Sequence, residues 1–198
     1  MSTGAIEPYT SRILSKIADV LLFFRFTPNI LTISGVFLNA AVAIVLLEGR
    51  FFLGGWLYLL VSMTDLLDGI LARKKNMSTL FGAFLDSVMD RFGDAVIFLG
   101  LLLHYAMIHN IPCVIIVTCA LSGALITSYT RARAECIIPK CKIGFMERPE
   151  RVILLAIGLV FNRVPICLLL MTIASFLIIL DRLIYTRREL KKTEVQQI

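Results

Sequence analysis

Histidine is almost missing from this chain. His104 and His109 are the only two in 198 residues, and both read as outer-loop residues far from any cluster of acids. That leaves little room for imidazole as a proton shuttle or metal ligand. The five cysteines, Cys113, Cys119, Cys136, Cys141 and Cys167, show no zinc-ligand spacing, and their odd number argues against a complete disulfide framework. All five read as structural, and Cys136 and Cys141 fall in a loop expected on the reducing, cytoplasmic side. No cleavable signal is expected either: Glu7, Arg12, Lys16, Asp19 and Arg25 break up the first 25 residues, in which no signal-like apolar stretch or cleavage site is evident. With no internal repeat, no low-complexity segment and no composition shift, residues 1–198 are expected to form a single domain.

Charge is scarce: 17% of residues are charged against 58% hydrophobic, with a mean hydropathy of +0.86. This composition disfavours a soluble globule and predicts an all-α integral membrane domain. Apolar runs at 31–47, 52–72, 84–108, 111–130, 152–161 plus flanks, and 164–181 predict six transmembrane helices. The fifth is short and must borrow residues around Glu150 and Asn162. Residues 8–24 read as an N-terminal amphipathic interfacial helix preceding the first span. The net charge of +6 would suggest nucleic acid in a soluble protein, but here its distribution speaks of topology and no nucleic-acid partner is expected. Only Arg50 and Arg163 fall in connections placed outside, and Arg91 lies within the third span. The positive-inside rule therefore puts both termini and the acid-rich end in the cytoplasm, giving a multi-pass cell-membrane protein with a cytoplasmic active site.

Against this apolar background stand four aspartates. Asp65 and Asp68 precede Gly69, Ala72 and Arg73; eight residues later come Gly82, Asp86 and Asp90. A carboxylate in a membrane-spanning segment costs several kcal/mol unless something offsets it. Asp65, Asp68 and Ala72 fall at i, i+3 and i+7, and Gly82, Asp86 and Asp90 at i, i+4 and i+8, so each set lies along one helix face. Two facing stripes would gather four carboxylates around one point, where divalent cations hold them ionised. Two such ions balance four negative charges, and all-oxygen ligation favours Mg²⁺ or Mn²⁺ over zinc. Gly69 and Gly82 permit close approach either by a nucleotide or by a facing helix. Spacing alone does not separate the roles of Asp86 and Asp90.

The two runs together match the signature D-x2-D-G-x2-A-R-x8-G-x3-D-x3-D at every fixed position, and on those residues the chain resembles the CDP-alcohol phosphatidyltransferase family. The resemblance implies an enzyme that displaces CMP from a CDP-linked lipid with the hydroxyl of a polar alcohol. It implies metal binding by Asp65, Asp68, Asp86 and Asp90, with Asp90 also taking the proton of the incoming hydroxyl. It tips Gly69 and Gly82 toward contact with the CDP-lipid and adds Arg73, Asn29, Ile30, Leu31, Thr32 and Thr79 to that set. A homodimer is implied in the same way.

The remaining signal is basic. The segments Ser128-Tyr129-Thr130-Arg131-Ala132-Arg133-Ala134-Glu135 and Gly144-Phe145-Met146-Glu147-Arg148-Pro149-Glu150-Arg151 bracket the fourth cytoplasmic connection, and Arg182 stands at the exit of the sixth span. Arginine forks suit phosphate, so the acceptor is expected to carry one. The two segments resemble the phosphatidylinositol phosphate synthase and archaetidylinositol phosphate synthase branch, in which three basic residues hold inositol phosphate. The matching positions are Arg131, where relatives carry Lys, with Arg151 and Arg182; Arg133 and Arg148 fit the same motifs and are expected just behind them. CDP-diacylglycerol and CDP-archaeol remain alternative donors, and glycerol 3-phosphate an alternative acceptor. A divalent-metal membrane transporter is the alternative from a different class, favoured if the acids lay at midplane among broken helices.

Overall fold

The computed structural model describes residues 28–74, 79–138, 141 and 143–196, with residues 28, 64–74 and 193–196 described by their backbone alone. The interfacial helix expected over 8–24 lies outside the described residues. Within them all regular structure is helical: α1 Pro28–Leu47, α2 Phe51–Lys74, α3 Leu80–Met107, α4 Ile111–Glu135, α5 Arg148–Val160 and α6 Val164–Gln196. Each helix overlaps one apolar run. Three carry a stretch long and apolar enough to cross a membrane: Asn29–Leu47, Ile111–Glu135 and Val164–Lys192. The others depart for distinct reasons. α3 is interrupted by Asp86, Asp90, Arg91 and Asp94. α5 has 13 residues, a length of roughly 20 Å at the α-helical rise. α2 runs Phe51–Lys74, and its described side chains, Phe51–Met63, form an apolar stretch ahead of Asp65 and Asp68.

The helices pack as a closed ring. α1 lies against α2 and α3, α2 against α5, α5 against α6, α6 against α4, and α4 against α3. Tight turns join α1 to α2, α3 to α4 and α5 to α6 at one end, with positive φ at Gly49, His109 and Asn162. Toward that end the ring is filled by Leu46, Ile97, Leu101, Leu155, Leu159 and Leu168, all fully enclosed. His104 is not in a loop as expected. It sits in the last turn of α3, where Nδ1 and the Leu47 carbonyl oxygen are 3.0 Å apart and the ring meets Phe51 edge-on, a polar contact that ties α3 to the α1–α2 turn. All five cysteines are free.

Large apolar side chains such as Phe37, Phe52, Leu60, Ile115 and Phe176 cover the outside of the ring. In water so many exposed apolar groups would drive association; in lipid they face the solvent they match. At the end opposite the tight turns, Ala134, Ile138 and Cys141 pack with Tyr185 and Leu190, docking the α4–α5 connection on the extended last turns of α6.

The crossing of α1 and α3 depends on Gly100, where a Cβ would stand 2.6 Å from the Ala43 carbonyl oxygen. Gly100→Ala should therefore cost about 1–3 kcal/mol through overpacking, seen as a lower thermal midpoint of the detergent-solubilised protein. Leu99→Ala, on the exposed side of the same helix, should stay within about 0.5 kcal/mol. Equal effects would contradict the close crossing.

Candidate active site

α3 carries the second acidic stripe and begins with a cap. The Thr79 hydroxyl accepts the Gly82 N–H at 2.9 Å, satisfying one of the helix's first free donors. A Cβ at Gly82 would lie 3.0 Å from Thr79 Oγ1 and 3.4 Å from Asn29 Oδ1, so the starts of α1 and α3 meet here. Three of the expected CDP-lipid contacts, Asn29, Thr79 and Gly82, thus occupy one spot. Nearby on α1, Leu31 and Thr32 are buried while Ile30 is half exposed. Leu31 and Thr32 each keep about 9% of their surface exposed. Asp65, Asp68, Gly69 and Arg73 lie on the last three turns of α2, and their side chains lie outside the described ones.

About two and three turns into α3, Asp86 and Asp90 line a cavity of about 340 Å³ between α2, α3 and α5, whose other walls include Leu59, Met63, Val152 and Ile153. It is an apolar groove with carboxylates in its wall. Among the described residues no group of three or more His, Cys, Asp or Glu gathers as a metal site. Asp86 and Asp90 are one half of the expected set of four, and their all-oxygen donor chemistry fits a hard divalent cation.

A second cavity, about 190 Å³, shares Asp90, Arg148 and Pro149 with the first. Its wall brings together Arg131 of α4, Arg151 of α5 and Arg182 of α6. These are the three arginines expected to hold a phosphate, and each is anchored. Arg131 binds Glu147 at 2.8 Å and Glu135 at 3.2 Å. Arg151, buried, approaches Asp94 Oδ2 at 3.5 Å. Arg182, also buried, donates from Nε to the Ile143 carbonyl at 3.1 Å and from Nη1 to the Thr127 carbonyl. Counting Arg91 and Arg148, five arginines line this wall beside three carboxylates, Asp90, Asp94 and Glu147, and Glu135 pairs with Arg131 from outside it, which leaves the set net positive.

Two expectations change here. Arg133 does not stand behind the arginines: it is exposed and does not line this cavity, because two residues turn an α-helix by about 200° and place it opposite Arg131. Arg148 is in the wall itself. Its Nη1 meets Asp90 Oδ1 at 2.7 Å and its Nε lies 3.4 Å from Asp94 Oδ1. Asp94 and Glu147 were assigned no role from sequence. For Asp94 a signal existed, since it continues the four-residue stripe of Gly82, Asp86 and Asp90 by one more turn.

The chain matches the CDP-alcohol phosphatidyltransferase family over residues 25–192. It is 31% identical over 194 residues to the phosphatidylinositol phosphate synthase of Cutibacterium acnes, covering 90% of this chain and 94% of that protein. It is 31% identical over 187 residues to the archaetidylinositol phosphate synthase of Pyrococcus horikoshii, covering 94% and 97%. The fold is similar to the crystal structure of Mycobacterium tuberculosis phosphatidylinositol phosphate synthase with CDP-DAG bound, with a TM-score of 0.82, 32% identity and coverage of 88% of this chain and 94% of that one. A structure of the same enzyme in complex with manganese and citrate gives a TM-score of 0.81 at 32% identity, covering 87% and 88%.

Gly144 sets the loop that anchors Arg182. Its φ is +115, and a Cβ there would lie 2.8 Å from Ile178 Cγ2. Gly144→Ala is both strained and crowded, so it should displace the Ile143 carbonyl and lower the thermal midpoint by several degrees, consistent with a loss of about 1–3 kcal/mol. An unchanged midpoint would show that the loop does not need this conformation.

Proposed function

The chain belongs to the CDP-alcohol phosphatidyltransferase family, and we propose on that premise that it is a membrane transferase joining a CDP-linked lipid, CDP-diacylglycerol or CDP-archaeol, to inositol phosphate with release of CMP. The observation that carries this reading is the meeting of two unlike cavities at Asp90, one apolar and one lined by arginines. A lipid-linked donor suits the first and a phosphorylated polyol the second. The net positive charge of the arginine set complements a phosphate monoester, which bears about −1.5 to −2 at neutral pH.

In the reaction the acceptor's hydroxyl oxygen attacks the lipid-side phosphorus of the diphosphate. The bond from that phosphorus to the CMP oxygen breaks, and CMP leaves with the electron pair. Asp90, where the cavities join, is positioned to take the hydroxyl's proton. Arg131, Arg151 and Arg182 hold the acceptor by its phosphate, which orients the attacking hydroxyl and converts an encounter in solution into a reaction between neighbours. Asn29, Ile30, Leu31, Thr32, Gly69, Arg73, Thr79 and Gly82 form the proposed binding region for the nucleotide end of the donor, Ile30 and Leu31 through their backbone or packing. Asp65, Asp68, Asp86 and Asp90 would hold the divalent ions, two of Mg²⁺ or Mn²⁺, which when bound neutralise the diphosphate and stabilise the leaving group.

The protein is a membrane protein, and the six helices are proposed to cross the bilayer with both termini and the site on the cytoplasmic side. The 13 residues of α5 suit a crossing only if the bilayer thins locally or flanking residues contribute. A homodimer in contact with membrane lipids completes the proposal. A metal transporter is less well supported, since Asp90 stands beside a closed set of arginines that would oppose passage of a cation.

The test is transfer by the purified protein from CDP-diacylglycerol or CDP-archaeol to labelled inositol phosphate, inositol and glycerol phosphate. The wild type should prefer inositol phosphate, and a chelator should abolish transfer until Mg²⁺ or Mn²⁺ is returned. Arg151→Ala should raise the KM for inositol phosphate about 10- to 150-fold, the loss of a charge-assisted hydrogen bond worth about 1.5–3 kcal/mol, with little change for the CDP-lipid. Equal use of inositol and inositol phosphate would remove the phosphate site. Preference for glycerol phosphate would replace the acceptor.

A further inference from the structure

Asp94 is the only carboxylate among the described residues that is buried. It lies one turn beyond the last acid of the signature, and the reaction steps above give it no task. Its surroundings do. α3 and α5 are not neighbours in the ring, since α3 packs on α1 and α4 while α5 packs on α2 and α6. At the polar end of the ring, Asp90 and Asp94, one turn apart on α3, face Arg148 and Arg151, three residues apart on α5. The chain of ion pairs runs Asp90 to Arg148 at 2.7 Å, Arg148 to Asp94 at 3.4 Å and Asp94 to Arg151 at 3.5 Å.

Fold stability gives little reason for this arrangement. Enclosed ion pairs are often no more stabilising than apolar side chains of the same size, and α3 and α5 already have their packing partners. Orientation gives a better one. Arg148 and Arg151 leave the first turns of the same helix with like charges, inside a cavity that also holds Arg131 and Arg182. Without a negative charge between them they would repel one another and turn toward water. Asp94 accepts from Arg148 on one oxygen and approaches Arg151 with the other, which fixes both planes.

We infer that Asp94 is a positioning residue for the acceptor: its carboxylate holds the guanidinium group of Arg151 toward a phosphate monoester in the arginine-lined cavity, while Arg148 keeps its closer partner, Asp90. The inference rests on reading that cavity as the acceptor site. It is distinct from metal binding and from proton removal, both of which belong to the other acids.

The experiment compares the full-length wild type with Asp94→Asn, Arg151→Gln and the double variant, measuring KM for inositol phosphate and for CDP-diacylglycerol. Asp94→Asn keeps the size and one acceptor oxygen but removes the charge. It should raise the KM for inositol phosphate by about tenfold or more, the scale of a lost charge-assisted contact, and leave that for CDP-diacylglycerol within about twofold. Because Asp94 acts through Arg151, the double variant should be no worse than Arg151→Gln alone, the non-additivity expected of coupled residues. A purely structural role would raise both KM values together or make the two losses multiply, and either result overturns the inference. If Asp94→Asn with its unpaired arginine does not fold, the double variant, which removes both charges, is compared with Arg151→Gln. A KM for inositol phosphate within about twofold supports positioning, and a further tenfold loss refutes it. A wild type that transfers nothing to inositol phosphate overturns the acceptor reading and this inference with it. A wild type that transfers normally beside an unaffected Asp94→Asn overturns the inference alone.

Discussion

Charged groups enclosed at one end of an apolar helix bundle must find partners inside it, and the cross-ring pairing of Asp90 and Asp94 with Arg148 and Arg151 is how this chain meets that demand. The six described helices, arranged as a ring, leave an interior. Near the tight turns that interior is closed by Leu46, Ile97, Leu101, Leu155 and Leu159. At the other end, charged side chains with paired heads keep it open as two cavities. The same pairings that make burial tolerable also aim the groups. Arg131 is held by Glu147, Arg151 by Asp94 and Arg182 by two backbone carbonyls, so three cations converge from three helices without collapsing onto one another.

Joining a lipid to a water-soluble phosphate ester requires a place where both can be held against one reacting centre. In the proposed reading the two cavities supply it, because they differ in kind and share a wall. The apolar one, between α2, α3 and α5, suits a substrate that arrives in the bilayer. The other, between α3, α4, α5 and α6, suits an anion. Asp90 and Arg148 belong to both. The placement follows from α3 itself, whose acids recur every four residues and so drift only slightly around the helix as they climb from the capped end at Thr79 toward the middle of the ring.

Much of this is written in the periodicity of the chain. The four-residue repeat of Gly82, Asp86 and Asp90 foretells a stripe, and the structure brings Asp86 and Asp90 into the wall of one cavity. Arg131, Arg151 and Arg182 are far apart in sequence, and their convergence was expected from motif resemblance; no local pattern encodes it. Where motif and periodicity disagree, periodicity prevails. Arg133 shares a motif with Arg131 yet faces away, whereas Arg148 and Arg151, three apart, face the same way. Asp94 escaped notice because the signature stops at Asp90 although the helix does not. Other features had no sequence signal: the positive φ of Gly144 belongs to a loop packed on Ile178, and the 3.0 Å contact of His104 with the Leu47 carbonyl joins residues far apart in the chain. Apolar content alone also misjudges α3, whose charges break its hydropathy while lining the two cavities.

The central claim is that the two cavities serve two substrates and that Asp90, at their junction, takes the proton in the reaction between them. Asp90→Asn tests it most directly, measured as single-turnover transfer from CDP-lipid to inositol phosphate in saturating divalent metal, with the affinity of each substrate determined on the same preparation. The account predicts turnover reduced by about 10²-fold or more while inositol phosphate affinity is largely kept and CDP-lipid affinity falls much less than turnover. Near wild-type turnover by Asp90→Asn, with both substrates bound normally, would contradict it.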